Sequence, residues 1–454
     1  MRKTLLFLIA TFFLAANVSA QWIEQVTGLS VNRAVNQIVI TSQNTAWVSA
    51  FDAAAGANVR DYSRTTDGGA TWTAGTVSAA PTSYNWSCLA AVDANTAWAM
   101  FFKNTATATG RIYKTTDGGT TWTQQGTGVI FNTSGVSFPD VLHFWDANIG
   151  VAVGDPVNGE FEIYTTTDGG TTWTPVPGAN IPDPTAGEYG LTRSFAARGN
   201  TFWFGTNAGR VFRSTDYGAT WTVYSTGTTN AVVSLDFADD MTGWIEMSDP
   251  STFAFLSLYR TYDGGDTWTD ITPSDYFYNA SGPGDISFVP NTTSTIVAAG
   301  YDTNSALFGS EYSLDGGDTW VEIDNDVIHL TVEFYDNITA WSGGLSVDQS
   351  TGGISKYDGG FVATGIAPVV SDYTFKLYPN PSDGLFYISF DAENNLPINL
   401  QITDAMGKLV MQTSYKDKSQ LWLKSIDMRK FQNGVYFLKI ENNGVETMRK
   451  LIVQ

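Results

Sequence analysis

Thr115-Thr-Asp117-Gly-Gly-Thr-Thr-Trp122 is one of six near-identical octapeptides in the chain. The string Thr-x-Asp-Gly-Gly-x-Thr-Trp recurs at Thr65–Trp72, Thr166–Trp173 and Thr261–Trp268, and with serine first at Ser313–Trp320. Ser214–Trp221 is the same box with Tyr217 in place of the first glycine. Asp67, Asp117, Asp168, Asp216, Asp263 and Asp315 are spaced 50, 51, 48, 47 and 52 apart, and a degenerate copy follows at Tyr357-Asp-Gly-Gly360. The physics of the box is local. An Asp carboxylate accepts hydrogen bonds from its own turn, and the glycines supply positive φ without steric cost. Trp72, Trp122, Trp173, Trp221, Trp268 and Trp320 then leave the turn and are expected to pack between neighbouring sheets, each burying about 200 Å². The boxes lack the ligand spacing of a calcium loop, so no metal is expected there.

A second element keeps the same period. Asn44-Thr-Ala-Trp47, Asn95-Thr-Ala-Trp98, Asn148-Ile-Gly-Val151, Asn200-Thr-Phe-Trp203, Met241-Thr-Gly-Trp244, Ser294-Thr-Ile296 and Ile338-Thr-Ala-Trp341 each follow an alternating or apolar run. Each unit thus reads as four antiparallel strands, with the box between the third and fourth. Seven such units predict an all-β, seven-bladed β-propeller. Gln21-Trp-Ile-Glu-Gln-Val26 resembles the strand that follows every other box, so the N-terminal strand is expected to complete the last blade and close the ring.

The pattern changes from Phe375. Alternating runs at Leu385–Phe390, Asn399–Thr403, Lys408–Thr413, Gln420–Lys424, Gly434–Ile440 and Thr447–Val453 predict a small β-sandwich. Tyr378-Pro-Asn-Pro381 with Gly384, Asp404-Ala-Met-Gly-Lys408, Asn433-Gly-Val-Tyr436 and Lys450-Leu-Ile-Val453 resemble the C-terminal sorting domain of the type IX secretion system of Bacteroidetes. That resemblance implies passage across the outer membrane, with the type IX machinery as a partner, and release or surface attachment. The boxes resemble Asp-box (bacterial neuraminidase, BNR, repeat) propellers. The local likeness of Leu142–Pro156, Gly187-Glu188 and Phe195-Ala-Ala197 is to the photosystem II assembly-factor group. This superfamily hosts many functions, so the likeness implies fold and leaves activity open.

The 454 residues are 43% hydrophobic and 14% aromatic with only 15% charged, which excludes a disordered chain or a coiled coil. A formal charge of −21 disfavours nucleic acid and anionic lipid as partners. Residues 21–370 hold 12 basic against 36 acidic residues, whereas 371–454 hold 10 against 9, which marks a boundary near 370. Arg2-Lys3, the apolar run Leu5–Ala15 and Val18-Ser-Ala20 read as a secretory signal peptide. No later run reaches the ~18 apolar residues of a membrane helix. The expected organisation is a signal peptide over 1–20, the propeller over 21–366, a linker over 367–374 and the sorting domain over 375–454. Cys88, the single cysteine, reads as a small buried hydrophobe.

Chemistry is harder to read. A sialidase needs three convergent arginines, and only Arg33, Arg193 and Arg198 sit near a first strand. Arg64, Arg213 and Arg260, three residues before a box Asp, and Arg111 and Arg210, six before, lie along third strands away from the axis. The loops opposite the boxes carry Asp140, Asp155, Glu188, Asp285 and Asp302, any two of which could form an acid–base pair. They also carry Tyr84, Trp86, Phe131, Tyr189, Phe253, Phe255, Tyr276, Phe277, Tyr278, Tyr301 and Phe308, which stack on sugars or anchor proteins when exposed. His143 and His329 fall on first strands, with His143 level with Asp236 and Glu333; a hydrogen-bonded ring, a proton-transfer site and a weak metal site are all open there. No cofactor is expected. The leading expectation is a non-catalytic, secreted or surface-bound propeller that recognises glycan or protein through its aromatic, acidic loop face, with Arg33, Tyr84, Trp86, His143, Tyr189, Arg193, Tyr276, Tyr278, Tyr301 and His329 as candidate contacts. A secreted glycoside hydrolase and an envelope assembly factor are the alternatives.

Overall fold

The computed structural model describes residues 22–54, 56–103, 109–252, 254–273, 284–301, 308–325, 327–361, 375–378, 380, 382–391, 398–404, 408–415, 421–442 and 445–454. The expected signal peptide therefore lies outside the described residues. The chain divides into two compact units at Val362/Ala363.

The first unit consists of antiparallel four-stranded groups, with one short 3-10 turn at Gly178–Asn180. Their first strands are Arg33–Ser42, Asn85–Ala91, Pro139–Phe144, Gly190–Arg198, Ala231–Phe237, Asp285–Phe288 and Thr331–Phe334, heading sheets one to seven. These strands pack side by side in that order, and the seventh packs against the first. Sheet seven continues through Ala340–Asp348 and Thr351–Tyr357, and its outer place is taken by Trp22–Val26, in register from Trp22↔Tyr357 to Val26↔Gly353. One further pairing, Ala34↔Leu345, joins sheets one and seven.

Each aspartate turn links the third and fourth strands, and its bonds are those its sequence requires. In the first, Asp67 Oδ1 accepts from Thr65 Oγ1 at 2.8 Å and Thr71 N at 2.9 Å, and Oδ2 accepts from Thr71 Oγ1 at 2.6 Å. Gly68 and Gly69 take φ of 71° and 87°. The same set recurs at Asp117, Asp168, Asp216, Asp263 and Asp315. The Thr71 hydroxyl and N–H, then Thr65, hold the Asp67 carboxyl at about 2, below its ordinary value.

The box tryptophans divide. Trp122, Trp173 and Trp221 are buried, while Trp72, Trp268 and Trp320 are only half-buried, and the fourth strand begins one residue after each. A second set, Trp47, Trp98, Trp203, Trp244 and Trp341 on second strands, is wholly buried. Each is the cross-strand partner of a cation on the third strand: Arg64, Lys114, Arg213, Arg260 and Lys356. In sheets four and five Trp and cation together grip the following sheet. Trp203 Nε1 and Arg213 Nη1 both donate to the Gly264 carbonyl, at 2.8 and 3.0 Å, and Trp244 and Arg260 do the same to Gly316 at 2.8 and 2.9 Å. Trp98 reaches Gly169 at 2.9 Å, with the Lys114 ammonium 4.8 Å from its ring centre. From sheet seven, Lys356 Nζ donates to the Gly68 carbonyl at 2.7 Å, returning the pattern to sheet one.

The second unit sets the sheet Phe375–Tyr378, Leu385–Asp391 and Leu421–Asp427 beside the sheet Leu409–Tyr415, Ile398–Asp404, Gly434–Asn442 and Val445–Val453. Phe386, Ile388, Leu400, Ile402, Ile426, Leu438 and Leu451 form their shared core. A cavity of about 320 Å³ opens between them beside Leu400, Met411, Ile426 and Lys430.

Candidate functional site

Strands that converge side by side without a ladder leave backbone groups to satisfy, and the polar residues of the first strands do this. Gln37 brackets Leu89, donating to its carbonyl at 3.1 Å and accepting from its N–H at 2.8 Å. Ser194 Oγ donates to the Val232 carbonyl at 2.6 Å, Asp236 Oδ2 accepts from Phe288 N at 2.8 Å, and Asp285 Oδ2 accepts from Val332 N at 3.0 Å. Asp285 is further held by Thr331 Oγ1 at 2.6 Å and Ser234 Oγ at 2.9 Å. Arg198 pairs with Asp236 at 2.7 Å. Glu333, desolvated and facing the charge of Asp236, is pushed well above the usual carboxylate range.

Arg193 lies where the fourth sheet's first strand slips register between Gly190 and Phe195, and its φ of 66° is uncommon for a side-chain-bearing residue. Its guanidinium donates to the Asn36 carbonyl of sheet one, linking sheets one and four. Arg33 is engaged elsewhere, with Asp61 at 2.9 Å. The three arginines therefore hold three separate partners.

The histidines separate as well. His143 lies 4.8 Å from Trp145 and within 6 Å of Phe195 and Phe202, and burial lowers it to about 3, so it is a neutral packing residue. His329 is completely buried, which removes it from any ligand-facing surface. Its Nδ1 meets Ser342 Oγ, its Nε2 is 3.1 Å from both Asp324 oxygens, and Trp22 covers it at 5.1 Å. Hydroxyl, imidazole and carboxylate thus align as in a hydrolase, yet Ser342 and His329 are sealed inside the sheet packing.

Of the loop carboxylates, Glu188 is buried and saturated by Arg210 at 2.5 Å, Thr206 Oγ1 at 2.7 Å and Thr185 N at 2.7 Å. Asp302 lies outside the described residues. Asp140 and Asp155 do meet, close enough for each to act on the other's titration. Asp155 Oδ1 also accepts from Gly190 N at 3.0 Å, and a Cβ at position 190 would stand 2.5 Å from Asp140 Oδ2, so only glycine fits. Burial first, then the Asp155 charge, raise Asp140 well above its ordinary value; burial raises Asp155 to about 6, and Glu162 adds repulsion.

The expected aromatic platform is largely absent among the described residues. Tyr84, Trp86, Phe131 and Phe255 are buried between sheets: Trp86 packs on Phe101 at 4.5 Å and donates to the Asp61 carbonyl, and Tyr84 lies under Arg111. Tyr189 is exposed. Phe253, Tyr276, Phe277 and Tyr278, and the side chain of Tyr301, lie outside the described residues. Sequence reasoning missed the roles of Arg64, Lys114, Arg213, Arg260 and Lys356; the signal was their fixed place just before each turn, opposite a tryptophan.

Residues 376–454 match a secretion system C-terminal sorting domain. The tail is an export-sorting domain. It marks the protein as secreted or displayed at the cell surface, and its partner is the type IX secretion machinery. No helix among the described residues is long and apolar enough to cross a membrane. Curated proteins contain no match to the chain. Among solved structures, YCF48 bound to D1 peptide superposes with a TM-score of 0.51 at 15% identity, over 75% of this chain and 95% of that one. YCF48 from Cyanidioschyzon merolae gives 0.51 at 15%, over 74% and 98%. A GH74 enzyme of Niastella koreensis gives 0.49 at 16%, over 94% and 67%. The YCF48 likeness shows the fold of the first unit, a β-propeller.

Proposed function

We propose that the first unit is a seven-bladed Asp-box propeller closed by Trp22–Val26, and that this exported chain, of Bacteroidetes type, is a non-catalytic binding or scaffolding protein acting on a protein ligand. The signal peptide, residues 1–20, delivers it to the periplasm and the tail, 375–454, carries it outward. The observation that supports binding over hydrolysis is the use made of the candidate carboxylates: Glu188 and Asp285 are occupied by structural hydrogen bonds, and Asp140 is fully buried. Burial of Tyr84, Trp86, Phe131 and Phe255 takes away sugar-stacking surface and favours protein over glycan. A glycan array and a polysaccharide-hydrolysis panel on the full chain test this; turnover of any glycan overturns it.

A second reading rests on Asp140 and Asp155. A coupled pair in which one carboxyl titrates near 6 suits a general acid. Under this reading Asp155→Asn abolishes glycan turnover, whereas binding without turnover in both proteins removes it.

A further inference from the structure

The face that bears the aspartate turns is not uniform around the unit. In sheets one to three the exposed turn positions carry Thr66, Thr116 and Thr167, with Asn44, Asn95 and Asn148 at the neighbouring turn. In sheets four to seven the same places, or those next to them, carry Tyr217, Met241, Tyr262, Leu314, Tyr335 and Ile338, each 41% to 60% exposed. The two turns of a sheet are bonded together: Gly264 N donates to the Met241 carbonyl at 2.8 Å, and Ser294 Oγ to the Leu314 carbonyl at 2.8 Å. Arg213 and Arg260 tie the turns of sheets four, five and six in sequence, and Phe361 carries the contact from Tyr312 to the Asn337 carbonyl beside Ile338. The six side chains therefore sit on four consecutive sheets, on one face, at turns linked in sequence.

Exposed carboxylates interleave with them: Asp239 and Asp240, together with Asp266 and Asp318, which pair with Arg213 at 2.8 Å and Arg260 at 3.0 Å, so acids outnumber cations in the arc. The cations of this arc, Arg213 and Arg260, are mostly covered: they donate into the inter-sheet grip and pair with Asp266 and Asp318, and Arg260 lies 5.0 Å from the Tyr262 ring centre. Apolar surface bordered by a surplus of acid, Asp239 and Asp240 foremost, complements apolar side chains flanked by lysine or arginine. The preponderance of acid in residues 21–370 sets a second copy of the unit against itself. Met241, Leu314 and Ile338 are aliphatic and offer no stacking face to a sugar.

We propose that the aspartate-turn face of sheets four to seven is the docking surface for a cationic, amphipathic protein segment. This inference deepens the binding reading and rests on it.

The test uses the full chain and two synthetic amphipathic peptides, one of leucine and lysine and one of leucine and glutamate, with binding read by fluorescence anisotropy. The lysine peptide is expected to bind, less tightly as salt rises. Tyr262→Ser, Leu314→Ser and Ile338→Ser combined should weaken it by about tenfold or more. Val31→Ser with Val347→Ser, exposed at the opposite end of the sheets, should leave affinity unchanged. Equal affinity in the triple variant, equal loss in the control, equal binding of the glutamate peptide, or no binding by the unaltered chain overturns the proposal. A protein ligand still held by the triple variant leaves the binding reading standing and removes this face from it; glycan turnover removes the binding reading itself.

Discussion

Gln25 Oε1 accepts two indole hydrogens at once, from Trp72 and from Trp341, each at 3.0 Å. One tryptophan belongs to the first sheet and the other to the seventh, and their rings meet edge to face at 6.1 Å. A single amide on Trp22–Val26 thereby takes the place that a glycine carbonyl of the next turn fills for Trp98, Trp203 and Trp244.

Gln25→Leu removes that acceptor while keeping bulk, and the two indole N–H groups lose their partner. About 1–3 kcal/mol of stability should go. Trp22→Ala should cost about 3–5 kcal/mol, because it also empties the space over His329, Phe334 and Tyr357. The exposed Thr66→Ala should stay within about 0.5 kcal/mol. Urea denaturation ranks the three; equal midpoints would show that Trp22–Val26 contributes nothing to holding the sheets together.

Trp203→Phe retains the ring against Phe237, now 3.8 Å away and stacked, but deletes the bond to Gly264. A loss of about 1 kcal/mol is expected. Because Arg213 donates to the same carbonyl, a double-mutant cycle with Arg213→Met should be non-additive. Additive losses would mean that the two donors act independently.

Asp155 titrates near 6 in the folded chain and about 3.9 when unfolded. The native state therefore holds the extra proton between about pH 4 and 6, and this group's contribution to stability declines as pH rises through that window. Asp155→Asn keeps an oxygen for Gly190 N and removes the charge. Its stability should match the parent near pH 4 and exceed it at pH 7.5. The opposite-signed contribution of His143 is common to both proteins and cancels. An equal difference at both pH values counts against the buried-charge explanation.

The turn aspartates behave in the reverse sense. Asp67 lies at about 2 when folded, so the stability it confers is complete above about pH 4 and disappears as pH falls toward 2. Asp168, whose carboxyl is likewise held low by Thr172, acts in the same direction. Asp67→Ala should melt below the parent at pH 6 and converge with it near pH 2; a gap that persists at pH 2 would point to something other than the carboxylate.

The turns were legible in the sequence because every bond to the aspartate carboxylate spans four residues or fewer, so spacing and residue type carry that local geometry. The placement of Trp22–Val26 was readable for a related reason: its Trp-led pattern repeats that of the outer strands. The candidate site was not readable in the same way. Tyr84 ends a connection whose length varies between units and Trp86 begins the strand after it, and only packing against Phe101 and Arg111 turns them inward. His329 aligned with the inner strands, yet it lies just before Thr331–Phe334 and points toward Asp324 on the preceding sheet. Asp140 and Asp155 were visible as two acids among many; their meeting depends on a bulge at Pro139/Val141 and on the bare backbone of Gly190.

The antiparallel ladder between Trp22–Val26 and Thr351–Tyr357 joins residues more than three hundred positions apart. A chain emerging from a ribosome or threading a translocon cannot form it until nearly the entire unit is present. Early segments thus stay without their final neighbour until Thr351–Tyr357 has been made.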